Sequence, residues 1–114
     1  MLTGHSHIDV AWLWRVQESI RKSARTFTNV TSLMDIYPEM TFGQSEAVLY
    51  DMVKRHYPEI YEKLKEKVAA GQWDICGNVW VEADTWDRGR PDGTGSLPKS
   101  TGALRHGVLQ KRIR

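Results

Sequence analysis

The sequence predicts an α/β fold with a parallel sheet, and two observations support this. Three short segments have strand character, residues 2–8, 40–43 and 72–77. Between them lie stretches whose apolar residues recur every three or four positions, the spacing of an amphipathic helix. The resulting order is strand, helix, strand, helix, helix, strand, and strands separated by helices are typical of parallel sheets. Such sheets place their functional residues at the C-terminal ends of the strands.

The first strand is predicted within residues 2–8, just before a long helix. One apolar stripe indicates this helix, and Pro38 ends it because proline disfavours helix in the residue before it and has no amide hydrogen to donate. The stripe consists of Leu13, Val16, Ile20, Ala24, Phe27, Val30 and Met34. The next strand is expected at residues 40–43.

Two shorter helices follow before the third strand at residues 72–77. Ser45 is the expected N-cap of a helix over residues 46–53, because its hydroxyl can accept a hydrogen bond from a free amide of the first turn. Pro58 is the expected first residue of a helix that continues to Ala70, and Gly71 is its expected stop.

Length and composition predict one globular domain. With 114 residues and 40% hydrophobic content the chain can bury a modest core, and no stretch approaches the roughly 20 apolar residues that span a bilayer. The first residues lack the basic and apolar regions of a signal peptide, and there is a single cysteine. We therefore expect a cytoplasmic protein without a membrane segment.

Two histidines and an aspartate alternate near the N-terminus. His5, His7 and Asp9 share one face if the segment is extended, because alternate side chains of a strand point the same way. Imidazole and carboxylate together suit zinc, which in catalytic sites takes three protein ligands and leaves one position open. The alternative is a polar loop whose histidines bond to the backbone, and the pattern alone does not decide between them.

A second group of polar residues follows the third strand, in residues 78–85. Asp84 could bind a metal ion or attack a substrate, but on these residues alone Glu82 and Asp84 are more often solvated loop acids. Tryptophans accompany both groups, and an indole ring suits the apolar face of a sugar. Trp12 is therefore predicted to line a pocket, whereas Trp14 and Trp73 are predicted to lie in the core.

Several motifs together resemble the N-terminal catalytic region of the family 38 glycoside hydrolases, the zinc-dependent α-mannosidases, most closely their bacterial and cytosolic branch. The resemblance covers residues 2–85. It rests on GHSHIDVAWLW (4–14), a long helix with Glu18, Arg21 and Lys22, FGQS (42–45), GQW (71–73) and WVEADT (80–85), all in the family's order.

The resemblance implies a fold, a reaction and a role for each matching residue. The fold would be a (β/α)7-type barrel of which this chain is a fragment, and the activity would be retaining hydrolysis of terminal α-linked mannose. His7, Asp9 and Asp84 match zinc ligands, and Asp84 matches the nucleophile as well. Trp12 matches the aromatic residue that packs against mannose, and His5 matches a residue that orients ligands without binding the metal.

The resemblance stops where the composition changes. The family's remaining zinc histidine and its acid/base aspartate have no match here, so we expect the isolated chain to be inactive or nearly so. Residues 86–114 carry 7 Lys and Arg against 2 Asp and Glu, together with five of the nine glycines. The hypothesis is a partial catalytic domain over 1–85 and a basic tail over 86–114 that is frameshifted or disordered; a divergent but genuine extension is the alternative.

Two other functions remain open at this stage. Another zinc metallohydrolase, of the metallo-β-lactamase type, also uses H-x-H-x-D, although it usually places a histidine where this chain has Val10. A noncatalytic module that binds carbohydrate or nucleic acid would use the tryptophans and the basic tail. The tail alternates its basic residues with Gly and Pro rather than with aromatic residues, so we expect no nucleic-acid partner. The lack of a long apolar stretch predicts no membrane partner, and the resemblance implies a mannose-containing oligosaccharide as partner.

Overall fold

A computed structural model gives the structure of the chain and describes residues 2–11, 13–77 and 79–82. Within these ranges three strands alternate with three helices in the predicted order. The elements are β1 (Gly4–His5), α1 (Val16–Ile36), β2 (Phe42–Gln44), α2 (Ala47–His56), α3 (Pro58–Ala69) and β3 (Trp73–Ile75). The predicted α/β class is confirmed.

The strands form one parallel sheet in the order β1-β2-β3. Phe42 of the central strand is aligned with Gly4 on one side and with Trp73 on the other. Parallel neighbours need a crossover between them, and α1 makes the first crossover while α2 and α3 make the second. Because all three strands run the same way, their last residues meet at one edge of the sheet, the C-terminal edge.

Four aromatic rings pack against one another in the core between sheet and helices. Phe27 of α1 is fully buried, with its ring centroid 5.3 Å from that of Tyr50 and 5.0 Å from that of Trp73. Phe42 lies against the same indole at 4.9 Å. The Tyr50 hydroxyl donates to the carbonyl oxygen of Gln44 at 2.7 Å and accepts from the Trp73 indole at 3.0 Å. The polar tips of these rings are therefore satisfied inside the core.

The stripe predicted for α1 is confirmed only in its later turns. Ala24, Phe27, Val30 and Met34 are buried. Leu13 lies before the helix and is 77% exposed, and Val16 at the helix start is 49% exposed, so their assignment to the stripe is wrong. The first turn instead buries Ser19, because its hydroxyl bonds to the loop that carries Asp9.

The cap predicted for α2 is also wrong. The N-cap residue is Glu46, with left-handed backbone angles (φ 62°, ψ 88°), and no side chain caps the helix. The first two amide groups of α2 donate instead to the carbonyl oxygens of Val79 and Trp80, at 3.1 and 3.2 Å. A segment from after β3 thus satisfies the helix end, and the Ser45 hydroxyl makes contacts elsewhere.

The end of α3 agrees with its prediction. The helix begins at Pro58, ends at Ala69 and is followed by Gly71 at φ +75°, a conformation that glycine adopts without a steric penalty. In the described part of the chain no helix combines the length and apolar character needed to cross a membrane. The barrel stays a prediction, and the predicted tail, residues 86–114, lies outside the described residues.

Candidate functional site

Five polar side chains meet at the C-terminal edge of the sheet: His5, His7, Asp9, Ser45 and Glu82. They come from three segments, one at the end of β1, one after β2 and one after β3. Parallel strands bring these segments together although His7 and Glu82, for example, are 75 positions apart in sequence. The structure thus joins three residues of the first predicted group to one residue of the second.

His7 lies between two carboxylates. Its Nε2 is 2.8 Å from Oδ1 of Asp9, and its Nδ1 is hydrogen-bonded to Oε2 of Glu82. The bond to Asp9, followed by the bond to Glu82, raises the pKa of the His7 ring because both carboxylates favour its charged form. Metal binding at Nε2 would therefore compete with a proton.

Ser45 and His5 extend the hydrogen bonding on the Glu82 side of His7. The Ser45 hydroxyl donates to Oε1 of Glu82, and His5 Nε2 lies 3.3 Å from the same hydroxyl oxygen. Ser45 itself is 8% exposed, so its contacts are largely shielded from solvent. Gly77, at φ +75°, lies close to Ser45, since a β-carbon there would be 3.3 Å from that of the serine. A glycine at this turn lets the chain after β3 approach the site.

The loop that carries Asp9 is fixed by α1. Ser19, fully buried, donates to the carbonyl oxygen of Asp9 at 3.2 Å and accepts from the amide of Ala11 at 3.1 Å and the indole of Trp14 at 2.9 Å. Ala11 has a positive φ of 61°, which bends the chain between the site and the helix. One serine thus ties the loop of Asp9 to the helical layer.

Glu46 places a buried carboxylate beside the site. It is 1% exposed, and its Oε1 accepts from the amide of Glu82 at 3.4 Å. Burial raises the pKa of Glu46, the charge of Glu82 adds to the rise, and hydrogen bonds from the amides of Glu82 and Ile8 oppose it. Its other oxygen, Oε2, has no hydrogen-bond partner among residues 2–11, 13–77 and 79–82. Glu46 therefore links the segments of His7 and Glu82 at an electrostatic cost.

The donors suit zinc, but the described residues do not complete a zinc site. In the described ranges no group of three His, Cys, Asp or Glu side chains is arranged to hold a metal ion. His7 Nε2 and Asp9 Oδ1 are 2.8 Å apart, and two donors on one tetrahedral zinc lie roughly 3.4 Å apart, so a small rotation would admit the ion. Asp84, the third predicted ligand and nucleophile, lies outside the described residues.

An open pocket of about 210 Å³ lies on the side of the site that faces α1. Its lining comprises Ser6, His7, Ile8, Trp14, Lys22, Arg25 and Thr26. Trp14 is half-buried, with the Lys22 ammonium 4.6 Å from its ring, so its prediction as a core residue is wrong, whereas Trp73 is confirmed there at 2% exposure. Trp12, predicted as the pocket wall, lies outside the described residues.

Sequence reasoning missed three residues of the site. The sequence assigns no role to Glu82, predicts Ser45 as a helix cap and places Glu46 within a helix, yet all three contact the site or its backbone. For Glu82 a signal existed: it precedes Asp84 by two positions, the same alternation that joins His7 to Asp9. The metal roles of His7 and Asp9 and the orienting role of His5 stay predictions.

Comparisons with known proteins place this geometry in a family. The model of the N-terminal domain of glycosyl hydrolases family 38 matches residues 1–89. Alpha-mannosidase G of Dictyostelium discoideum is 39% identical over 110 residues, 96% of the chain, and alpha-mannosidase 2C1 of Homo sapiens is 43% identical over 82 residues, 72% of the chain. An alpha-mannosidase of Saccharomyces cerevisiae is 39% identical over 83 residues, also 72% of the chain.

The chain spans only 9% of the Dictyostelium relative and 8% of the human and yeast relatives. The matched region, residues 1–89, nevertheless includes every strand, helix and candidate ligand described above. On this match the chain belongs to the family 38 glycosyl hydrolases.

Proposed function

We propose that this chain is part of a retaining, zinc-dependent α-mannosidase that hydrolyses terminal α-linked mannose residues, with a mannose-containing oligosaccharide as substrate. The single observation that carries the proposal is the pair of His7 Nε2 and Asp9 Oδ1, 2.8 Å apart at the C-terminal edge of a family 38 domain. The relatives named as α-mannosidases support the substrate class.

The proposal gives each residue a chemical task. His7, Asp9 and Asp84 would hold the zinc ion, and Trp12 would pack against the mannose ring. Asp84 would attack the anomeric carbon and form the glycosyl-enzyme intermediate, which water then hydrolyses with retention of configuration. A second carboxyl group must protonate the leaving oxygen. Bound zinc would supply Lewis acidity toward the hydroxyl oxygens of mannose.

Zinc binding by the 114-residue chain tests the metal part of the proposal. Titration against a competing chelator dye should show one zinc ion per chain in the wild type. The variants His7→Ala and Asp9→Ala should each lose this binding, because each removes a ligand, whereas His56→Ala on the exposed end of α2 should keep it. Zinc binding that survives both ligand substitutions would overturn the assignment.

Turnover in a full-length enzyme that contains this chain tests the reaction. Asp84→Asn should abolish hydrolysis of an aryl α-mannoside, because it removes the nucleophile and also weakens a zinc ligand, and the first sugar released by the wild type should be the α-anomer. Unchanged turnover in Asp84→Asn, or release of the β-anomer, would contradict the proposed mechanism. Localisation in the cytoplasm is part of the same proposal and can be checked by fractionation.

The same experiments separate the alternatives. A metallo-β-lactamase-type enzyme would bind zinc through His7 and Asp9 but would not release mannose. Val10, partly buried against the core, disfavours it by standing where that motif usually has a further histidine. A carbohydrate-binding module would bind mannosides in the presence of a chelator and would release none.

A further inference from the structure

We propose that Glu82 is a positioning residue, whose carboxylate holds the His7 ring through Nδ1 and so directs Nε2 toward Asp9 and a bound metal ion. The inference rests on the zinc site of the proposed function and deepens it, because no role was assigned to Glu82 there. Its evidence is the contact of Glu82 Oε2 with Nδ1, on the opposite side of the ring from the Nε2 contact with Asp9.

Hydrogen-bond chemistry gives this contact a direction. An ionised carboxylate has no hydrogen to donate, so the bond requires that Nδ1 of His7 carries the proton and donates it to Glu82. By the same reasoning Nε2 donates to Asp9 in the metal-free chain, so a metal ion would have to displace that proton. Because Glu82 keeps the proton on Nδ1, the lone pair that is then freed for the metal is the one on Nε2. A carboxylate behind a histidine ligand fixes its tautomer and ring orientation and makes it a stronger base toward the metal.

Ser45 and His5 hold the carboxylate of Glu82 from the other side. The Ser45 hydroxyl has one hydrogen, which it donates to Glu82 Oε1, so its oxygen can only accept from Nε2 of His5, 3.3 Å away. Both oxygens of Glu82 therefore have donors, and the carboxylate cannot rotate without breaking one of the two bonds. His5 therefore donates to Ser45 and Ser45 donates to Glu82, while His7 donates separately to the other oxygen of Glu82.

The backbone of Glu82 is tied to the fold as well. The carbonyl oxygens of Val79 and Trp80 accept the first two amide hydrogens of α2, and the amide of Glu82 donates to the buried Glu46 at 3.4 Å. The segment after β3 is thus anchored at the helix end, and its side chain at position 82 is presented to His7. Loss of the Glu82 side chain should leave these backbone bonds in place.

The first test observes the His7 ring in the metal-free 114-residue chain. In protein labelled with ¹⁵N histidine, the Nδ1–H proton of His7 should give a hydrogen-bonded, slowly exchanging resonance in the wild type. Glu82→Ala should lose this resonance, and Asp9→Asn should keep it because Asp9 contacts the other nitrogen. A resonance that is absent in the wild type, or that persists in Glu82→Ala, would overturn the inference.

The second test measures zinc affinity in the same variants. Glu82→Ala should weaken zinc binding by about 10- to 100-fold, the range for residues that support a metal ligand. Glu82→Gln should fall between Glu82→Ala and the wild type, because its amide oxygen still accepts from Nδ1 but lacks the charge. Glu39→Gln, an exposed site remote from the sheet edge, is the matched control and should bind zinc as the wild type does.

The two tests distinguish the inference from the proposed function. If Glu82 had a merely structural role, Glu82→Ala would lower the urea midpoint of the metal-free chain. It would not produce the graded order of zinc affinity expected for wild type, Glu82→Gln and Glu82→Ala. Equal zinc affinity in Glu82→Ala and the wild type would overturn the positioning role while zinc binding itself stands. Absence of zinc binding in the wild type would count against the proposed function, and the Nδ1–H resonance would then decide the Glu82 contact by itself.

Discussion

The aromatic core and the C-terminal edge of the sheet are held together in different ways. In the core, Phe27, Tyr50 and Trp73 are at most 3% exposed, and their contacts are ring packing with satisfied polar tips. At the edge, the side chains of His7 and Glu82 are 44% and 22% exposed, and their contacts are hydrogen bonds between charged groups. The core should therefore determine whether the chain folds, and the edge what it binds.

The largest effect should come from a core truncation. Phe27→Ala should lower the free energy of unfolding by about 3 to 5 kcal/mol, because it removes a fully buried ring and leaves a cavity between α1 and the sheet. Urea denaturation followed by tryptophan fluorescence measures the change. In a small domain this loss should be enough to unfold a large fraction of the molecules.

Leu33→Ala on the same helix is the control for this prediction. Leu33 is 41% exposed, so its truncation should cost no more than about 0.5 kcal/mol, the usual range for surface changes. Similar losses in Phe27→Ala and Leu33→Ala would show that the two faces of α1 contribute equally, and the contrast between core and surface would fail.

Sequence reasoning reached most of the fold because the fold depends on local patterns. The apolar spacing in the later turns of α1, Pro58 at the start of α3 and Gly71 after its end are each readable within a few residues. The errors lie where distant residues decide the structure. Ser45 is not a cap because a segment more than 30 positions away already accepts the first amide hydrogens of α2.

The candidate site was predictable only in part, for the same reason. Because alternate side chains of an extended segment share one face, the sequence predicts that His5, His7 and Asp9 lie together. Parallel strands explain why the segment after β3 joins them. The contact of Glu82 with His7 depends on the turn at Gly77 and on the anchoring of residues 79–80 to α2. Neither is visible in a local pattern, so the sequence alone does not place Glu82 beside the His7 ring.

Glu46 combines the burial of the core with the charge of the sheet edge, and the second prediction concerns this residue. Its carboxylate is buried like a core residue but lies beside the charged groups of the edge. Glu46→Gln should stabilise the metal-free chain at pH 7, by an amount on the order of 1 kcal/mol, because an uncharged amide removes the cost of a buried charge with an unpartnered oxygen. Glutamine keeps the side-chain length and the unusual backbone angles nearly the same.

The pH dependence gives the sign of this effect. Burial raises the pKa of Glu46 above its unfolded value, so the folded chain binds this proton more tightly, and stability declines as the pH rises through that raised pKa. The curves of wild type and Glu46→Gln should therefore converge below about pH 4, where the carboxyl is protonated in both states. Glu66→Gln, on the exposed surface of α3, should show no such divergence. Lower stability of Glu46→Gln at pH 7 would mean that the bonds to Ile8 and Glu82 outweigh the burial.

The smallest effect should come from a charged contact that belongs to neither region. Asp35, near the end of α1, contacts the ammonium groups of Lys63 at 2.6 Å and Lys67 at 2.5 Å, and so joins α1 to α3. The bond to Lys63, followed by that to Lys67, lowers the pKa of Asp35 below its unfolded value. Its contribution to stability is therefore present above the unfolded pKa and is lost as the pH falls through the lowered one.

Asp35→Asn should consequently destabilise the chain slightly at pH 7 and not at all in acid, the reverse of the pH dependence expected for Glu46→Gln. The loss should shrink in high salt, because the Asp35 side chain is 47% exposed and ions screen its contacts. Urea midpoints at low and high salt measure this, with Glu62→Gln, which breaks a pair within α3 alone, as the control. A salt-independent loss as large as that of Phe27→Ala would mean that the contact between helices depends on charge rather than on the buried rings.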